Sequence, residues 1–382
     1  MSKKFVKQYH KILNHEFPEF LKKYLHLPIL TRLKGIGLLC GTDWTDFFSN
    51  NFYYSRFDHS IGVALIIWHF THDKAQTISG LLHDVSTPAF SHVTDFRKGD
   101  SLTQTVTEGE NKSMLANSPE LIKCLSEDGL ALNQVDDYHK YPIADNEVPQ
   151  LSADRLEYMF PSGAALAGTW SLDKSFSLSE IKSIYNDIVI CKNENNIEEL
   201  GFKSVEIAEL YTHRTTDIGL FLQKNEDKMV MQFLATTLNL AIKLNILSET
   251  DFFTFTEKEI IQKLDKVVQK NKNINLANKF YEFVDTSTHY KKSEDSFEKF
   301  ILFYRTYRKF RKITRSPEPL KGHFCVNLGV KKRYINPLVV TGNKIDGLFE
   351  AKRITDISEK IRQEINYFLS YDENCFGCVK LN

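Results

Sequence analysis

Apolar residues recur at helical spacing along most of this chain. Between residues 56 and 75, Ile61, Ala64, Leu65 and Trp68 share one face, which predicts a helix. A second helix over 76–84 ends where Ser86, Thr87 and Pro88 break the pattern, so His83 and Asp84 fall at a helix C-terminus where they could face a cavity. Residues 1–30 read as one or two short helices broken at Leu27-Pro28. The stretch 96–150 is more polar, with candidate helices near 113–127 and 132–138 and a loop at YPIADNEVPQ. Ser152 then serves as N-cap of a helix with Asp154, Arg155 and Glu157 in its first turns. Further helices are predicted over 178–190, 202–248, 256–270, 274–284 and 293–312.

The pattern changes after the SPEP run, Ser316 to Pro319. HFCVNLGV and RYINPLVV alternate and are β-branched, which predicts a hairpin turned near Lys331-Lys332. A last helix is expected over about 356–370, with Asp356 and Glu359 in capping-box spacing. The fold class is therefore mostly α: a helical bundle over 1–315 and a small C-terminal α+β extension over 316–382.

Composition narrows the setting. Lys+Arg and Asp+Glu both count 49, so no global charge draws the chain to nucleic acid or an anionic membrane. The basic run from Tyr304 to Arg315, interleaved with Tyr and Phe, could contact a nucleic-acid backbone or a nucleotide regulator. A solvated helix face or an acidic subunit contact is the preferred reading of it. No apolar run reaches the roughly 20 residues of a membrane span, and the N-terminus lacks an apolar stretch of signal-peptide type; a cytoplasmic protein is expected. The six cysteines are read as free thiols, and Cys375-Phe-Gly-Cys378, with no second ligand pair nearby, as incidental.

The chemistry concentrates in His59, His83, Asp84 and Asp154. Two imidazoles and two carboxylates form a mixed nitrogen/oxygen set suited to a divalent ion, with manganese, iron, nickel, zinc, cobalt and magnesium all admissible. Their order and flanks resemble the HD superfamily of metal-dependent phosphohydrolases, and within it the dNTP triphosphohydrolase branch. RFDHSIGV is similar to the branch's RFEHSLGV-type segment, HDVSTPAFSHVTD to HDxGHxPFSHxFD, ADRLEYMF to DxDKxDYxxRD, LYTHR to the YxHR/K helix, and TRLKGIGLL to QRLRxIxQLG. The likeness runs from about Thr31 to Arg214.

The resemblance implies an HD-domain helical bundle in which His59, His83, Asp84 and Asp154 each ligate the metal. It implies phosphate contacts for Arg56 and Arg155, sugar-lining roles for Tyr158 and Tyr211, and a pocket His92 accompanied by the carboxylate of Asp95. A homo-oligomer is expected on the same ground. Read from the residues alone, Arg56 and Arg155 could instead pair with Asp58 and Glu157, and the two tyrosines could be core aromatics.

The chain also departs from the branch. Leu38 stands where a sugar-reading glutamine is usual, Thr87 where a pocket histidine is, Gly109-Glu110 where an HE pair is, and Ser162 where an aspartate is. Sugar recognition and acid/base groups are both thinned, which argues against an ordinary dNTP triphosphohydrolase. The expected activity is metal-dependent hydrolysis of a nucleotide or other small phosphoester, with His92 or Glu110 handling protons. The alternative is a catalytically silent scaffold that binds a nucleotide or a protein partner.

Overall fold

The computed structural model describes residues 2–104, 111–168, 176–271, 293–345 and 347–381. The chain opens with α1 (Ser2–Leu13), a tighter 3-10 stretch over Glu19–His26 and the single turn α2 (Pro28–Thr31), interrupted at Leu27 as expected. Next come α3 (Arg56–Thr71) and α4 (Lys74–Leu82). Ser55 and Asp58 cap α3 reciprocally, and Asp73 caps α4 by accepting from the Gln76 N–H at 3.0 Å. Helix α3 is buried on nearly every side, from Ile61 to Ile67, so it forms the centre of the core. Gly80 lets α4 lie close against it: a Cβ there would sit 2.2 Å from Ile67 Cδ1.

The polar stretch holds the short helices α5 (Val93–Arg97), α6 (Asn111–Ala116) and α7 (Pro119–Glu127). The expected helix 113–127 is thus split, because Ser118 caps α7 and Pro119 occupies its first position. In place of a helix over 132–138 there are 3-10 turns at Leu132–Gln134 and Tyr138–Lys140. Ser152 caps α8 (Ala153–Leu166) as predicted, accepting from the Arg155 N–H. Pro161 lies inside α8 and cannot donate to the Glu157 carbonyl one turn back; the Tyr9 hydroxyl of α1 donates to that carbonyl instead, at 3.3 Å.

Helix α9 (Leu178–Asn186) stops before the β-branched run Ile188–Ile190, which forms strand β1 (Ile188–Lys192) and not the end of a longer helix. Strand β2 (Glu198–Phe202) completes an antiparallel hairpin. The segment read as one helix over 202–248 holds α10 (Val205–Leu222) and α11 (Asn225–Lys243). Then follow α12 (Asp251–Thr254), α13 (Glu257–Lys270) and α14 (Ser293–Lys309); the predicted helix 274–284 lies outside the described residues. The basic run after Tyr304 is spent on internal contacts, with Arg308 on Asp265, Arg311 on Asp46 and Arg315 on Glu226 and Glu373.

Then follow β3 (Thr314–Ser316), β4 (His323–Val326), β5 (Leu338–Ile345), β6 (Leu348–Arg353), the single turn α15 (Ile354–Ile357), α16 (Glu359–Ser370) and β7 (Phe376–Lys380). The hairpin expected around Lys331 does not form. Strand β4 pairs with β7, and β5 pairs with β6 across Gly347, whose φ of 86° suits glycine. Alternation marked these strands but carried no information about partners. Strands β5 and β6 also join β2 and β1 in parallel, closing a four-stranded barrel, while β3, β7 and β4 form a separate sheet. The cap of α16 is Ser358 and not Asp356. The β4–β7 register sets Cys325 opposite Cys378, and the two are joined in a disulfide, which corrects the reading of all six cysteines as thiols. Among the described residues no helix is long and apolar enough to cross a membrane.

Candidate metal centre

The sequence separates His59, His83 and Asp154 widely, and the packing of α3, α4 and α8 brings them together. His59 lies one turn into α3, His83 follows the last residue of α4, and Asp154 is in the first turn of α8. His59 Nε2 is 3.2 Å from His83 Nε2 and 3.0 Å from Asp154 Oδ1, and His83 Nε2 is 3.5 Å from the same oxygen. Ligand atoms each about 2.0–2.2 Å from one ion lie roughly 3.0–3.5 Å apart in tetrahedral or octahedral geometry. The trio therefore fits a single divalent ion.

The far side of each imidazole is already committed. His59 Nδ1 donates to the Glu157 carboxylate at 2.5 Å and His83 Nδ1 donates to the Gly80 carbonyl at 2.7 Å. Both acceptors fix the proton on Nδ1 and turn Nε2 toward the shared point, the outer-shell arrangement that metal-binding histidines use. Glu157 is fully buried and takes a second hydrogen bond from the Tyr54 hydroxyl at 2.6 Å. It fits only because residue 62 is glycine: a Cβ there would lie 2.2 Å from its Oε1.

Electrostatics couple the trio further. Burial pulls the His59 imidazolium down, but Glu157 and Asp154 outweigh it and hold it up at about 10. His83 is likewise lowered by burial and raised more by Asp84 and Asp154. Burial raises the Asp154 carboxyl, yet hydrogen bonds from the two imidazoles hold it well below the usual carboxylate range. A cation entering here replaces protons.

Asp84 stands at the edge of this trio. Its Oδ2 is 3.7 Å and 3.6 Å from the two Nε2 atoms, but both oxygens face the Arg56 guanidinium at 2.9 and 2.7 Å, and Thr87 donates to Oδ1 at 2.8 Å. Arg56 also donates through Nε to Ser91 Oγ at 2.8 Å. It does not pair with Asp58, which is occupied as the cap of α3.

A cavity of about 420 Å³ opens over these groups, within the size range of small-molecule sites. Arg56, His92, Tyr158 and all four metal candidates line it. His92 Nδ1 donates to Asp95 at 2.9 Å, and its Nε2 is 3.4 Å from the Arg333 guanidinium. Burial, reinforced by Arg333 and Arg56, outweighs Asp95 and drives His92 down to about 4, so its imidazole is neutral near pH 7. Arg155 faces elsewhere: its guanidinium donates to the Gln150 carbonyl at 2.7 Å and to Asn146, with Asp145 at 3.3 Å. Glu157 is not its partner. Tyr211 is a core aromatic against Phe160, Phe176 and Phe202, outside the cavity wall. Glu110, with Gly109, lies outside the described residues.

Four residues at the site escape a reading of the sequence. Glu157 was visible only as a neighbour of Arg155. Arg333 and Lys331 line the cavity from the irregular segment between β4 and β5, where the hairpin turn was expected. Asp227 lines it from the first turn of α11. Leu38, Thr87 and Ser162, the departures noted above, are on the wall as well.

No protein-family profile matches this chain. It is 29% identical over 150 residues to the uncharacterized protein YdhJ of Bacillus subtilis (strain 168), a stretch amounting to 38% of this chain and 43% of that protein's length. Its structure is similar to the crystal structure of a phosphohydrolase from Bacteroides thetaiotaomicron, with a TM-score of 0.59 and 14% identity over 96% of this chain and 97% of that one. A hypothetical protein from Aquifex aeolicus is similar at a TM-score of 0.53, again 14% identical, over 96% and 93% of the two chains. At these identities the likeness is one of fold.

Proposed function

We propose that this chain is a metal-dependent phosphohydrolase of the HD superfamily acting on a nucleotide or another small phosphoester. The observation that carries the reading is the convergence of His59, His83 and Asp154, with both Nδ1 atoms anchored, at the floor of a cavity that also presents Arg56 and Arg333. The name of the Bacteroides structure, a phosphohydrolase, agrees with it.

When bound, a divalent ion supplies a Lewis acid and lowers the pKa of a water to near neutrality. His59, His83 and Asp154 would hold it, with Asp84 beside them. Arg56 and Arg333 bind and neutralise phosphoryl oxygens. His92, neutral and aimed by Asp95, offers Nε2 as a proton acceptor. Glu110, outside the described residues, is the alternative proton carrier that the sequence offers. Tyr158 borders the substrate, whereas Arg155 shapes the 146–150 loop and Tyr211 the packing behind α8.

The test is phosphate and pyrophosphate release from a panel of nucleoside mono-, di- and triphosphates, cyclic nucleotides and sugar phosphates, with manganese, magnesium, cobalt or no metal. Release that depends on metal and disappears in His83→Ala/Asp84→Ala supports the reading. A silent binding scaffold remains the second reading, favoured by one observation: Asp84 is clamped by Arg56 and Thr87 and stands outside the close trio. Stoichiometric metal without turnover of any substrate selects it. Sedimentation of the intact protein tests the expected homo-oligomer.

A further inference from the structure

Asp227 is an anomaly in the wall of the cavity. Among the described residues no hydrogen bond or ion pair reaches its carboxylate, and the neighbouring Lys228 ammonium acts against the effect of burial. That lysine is itself buried and offset by Glu373 and Asp372. The cavity wall also includes apolar residues: Leu38 and Leu39 from the loop before α3, Leu222 at the end of α10, and Met231 one turn along α11 from Asp227.

A carboxylate beside apolar walls and without protein donors is poorly satisfied. Packing does not require it, since a leucine would continue the apolar wall. Burial pushes this carboxyl up to about 7. Its two oxygens can accept a pair of adjacent N–H or O–H donors, and flat apolar walls beside it suit the faces of a ring.

We infer that Asp227 receives the non-phosphate end of the substrate, and that this end carries adjacent N–H or O–H donors on a ring. This rests on the function proposed above, which places the phosphate at Arg56 and Arg333. Two sources share the chemistry: the N–H edge of a guanine-type base and the neighbouring hydroxyls of a sugar. A ring without donors leaves Asp227 unsatisfied, and sites built around a buried polar group reject such analogues strongly.

The experiment is calorimetric titration of the manganese-loaded protein with inorganic phosphate, phenyl phosphate, GMP, AMP and glucose 6-phosphate, using wild type, Asp227→Asn and Asp227→Leu. At least one donor-bearing compound is expected to bind wild type more tightly than phenyl phosphate. Asp227→Asn should weaken that compound at least tenfold while inorganic phosphate keeps its affinity, which also reports an intact fold. Asp227→Leu should reverse the order in favour of phenyl phosphate. GMP as the preferred ligand identifies a base edge, and glucose 6-phosphate identifies hydroxyls. Equal weakening of every ligand, or none, overturns the inference while phosphate binding leaves the proposed function standing. Failure of wild type to bind inorganic phosphate at all overturns both.

Discussion

The imidazole of His59 and the carboxylate of Glu157 meet at 2.5 Å, and the carboxylate is shut away from solvent. This pair decides which nitrogen of His59 faces the cavity. Removing the charge while keeping the shape, as in Glu157→Gln, should lower affinity for divalent metal roughly tenfold to a hundredfold, the usual effect of losing an outer-shell partner. Gly62→Ala should displace the same carboxylate and destabilise the fold by about 1–3 kcal/mol, an overpacking cost. Metal titration and urea unfolding measure the two effects; unchanged metal affinity in Glu157→Gln would detach the pair from the site.

Arg333 is the cation that the sequence hid. It donates to Gln104 Oε1 at 2.6 Å and lies 3.4 Å from His92 Nε2, so it lines the cavity beside the proposed proton acceptor. Arg333→Ala should raise the KM for a phosphoester ten- to a hundredfold, as expected for losing a charge-assisted hydrogen bond of about 1.5–3 kcal/mol. Arg333→Lys should recover only part of this, because it keeps the charge and loses the planar fork. Steady-state kinetics on any substrate found in the panel decide it.

A pH dependence follows from His92. Its folded-state pKa lies at about 4, below the ordinary value of 6.5, so the unfolded chain binds more protons between those limits. The contribution of this group is therefore fully present above pH 6.5 and is lost as pH falls through about 4. Burial comes first among the causes, with Asp95, Arg333 and Arg56 facing the ring. Comparing wild type with His92→Gln by urea unfolding from pH 4 to 8 isolates this term: the difference in stability should grow from pH 4 to about 6.5 and level off above it. A difference independent of pH would mean that the ring titrates normally.

Glu257, at the start of α13, accepts from the backbone N–H groups of Gly37 at 2.9 Å and Phe90 at 3.1 Å, and from the Trp44 indole at 2.7 Å. Phe90 and Ser91 adopt left-handed φ values of 66° and 51°, uncommon for residues with side chains. The carboxylate thus joins the two loops that hold Arg56, one through its own N–H on Ile36 and the other through Ser91. Glu257→Ala leaves three buried donors unpaired and should cost at least about 3 kcal/mol at roughly 1–3 per donor. Glu257→Gln should retain part of that stability. Thermal unfolding of both variants checks the ranking.

Much of the helical frame was legible because helix boundaries carry local signals. Ser152 reads as a cap from the sequence, and in the structure Ser55 and Asp73 cap α3 and α4 in the same way, so that His59 and Asp154 lie in first turns and His83 directly follows α4. Local signals ended where partners had to be chosen. Ile188–Ile190 extend a helical pattern as well as a strand, and only pairing with Glu198–Phe202 and Leu348–Arg353 decides between them. The same limit concealed that Arg333, which reads as a turn residue, lines the cavity, and that Arg155 turns its guanidinium to Asn146 and Gln150, partners fixed by folding. Glu157 was in view, but nothing local said that His59 would reach it.

The position of Arg333 along the chain also sets an order in time. His59, His83, Asp154 and Glu157 have all been synthesised well before residue 333 emerges, a delay on the order of ten to tens of seconds at ordinary elongation rates. The residues of the candidate metal trio are therefore in the nascent chain before Arg333 is. On the proposed function, translation separates the residues that would hold a cation from the last guanidinium that would meet a phosphoester.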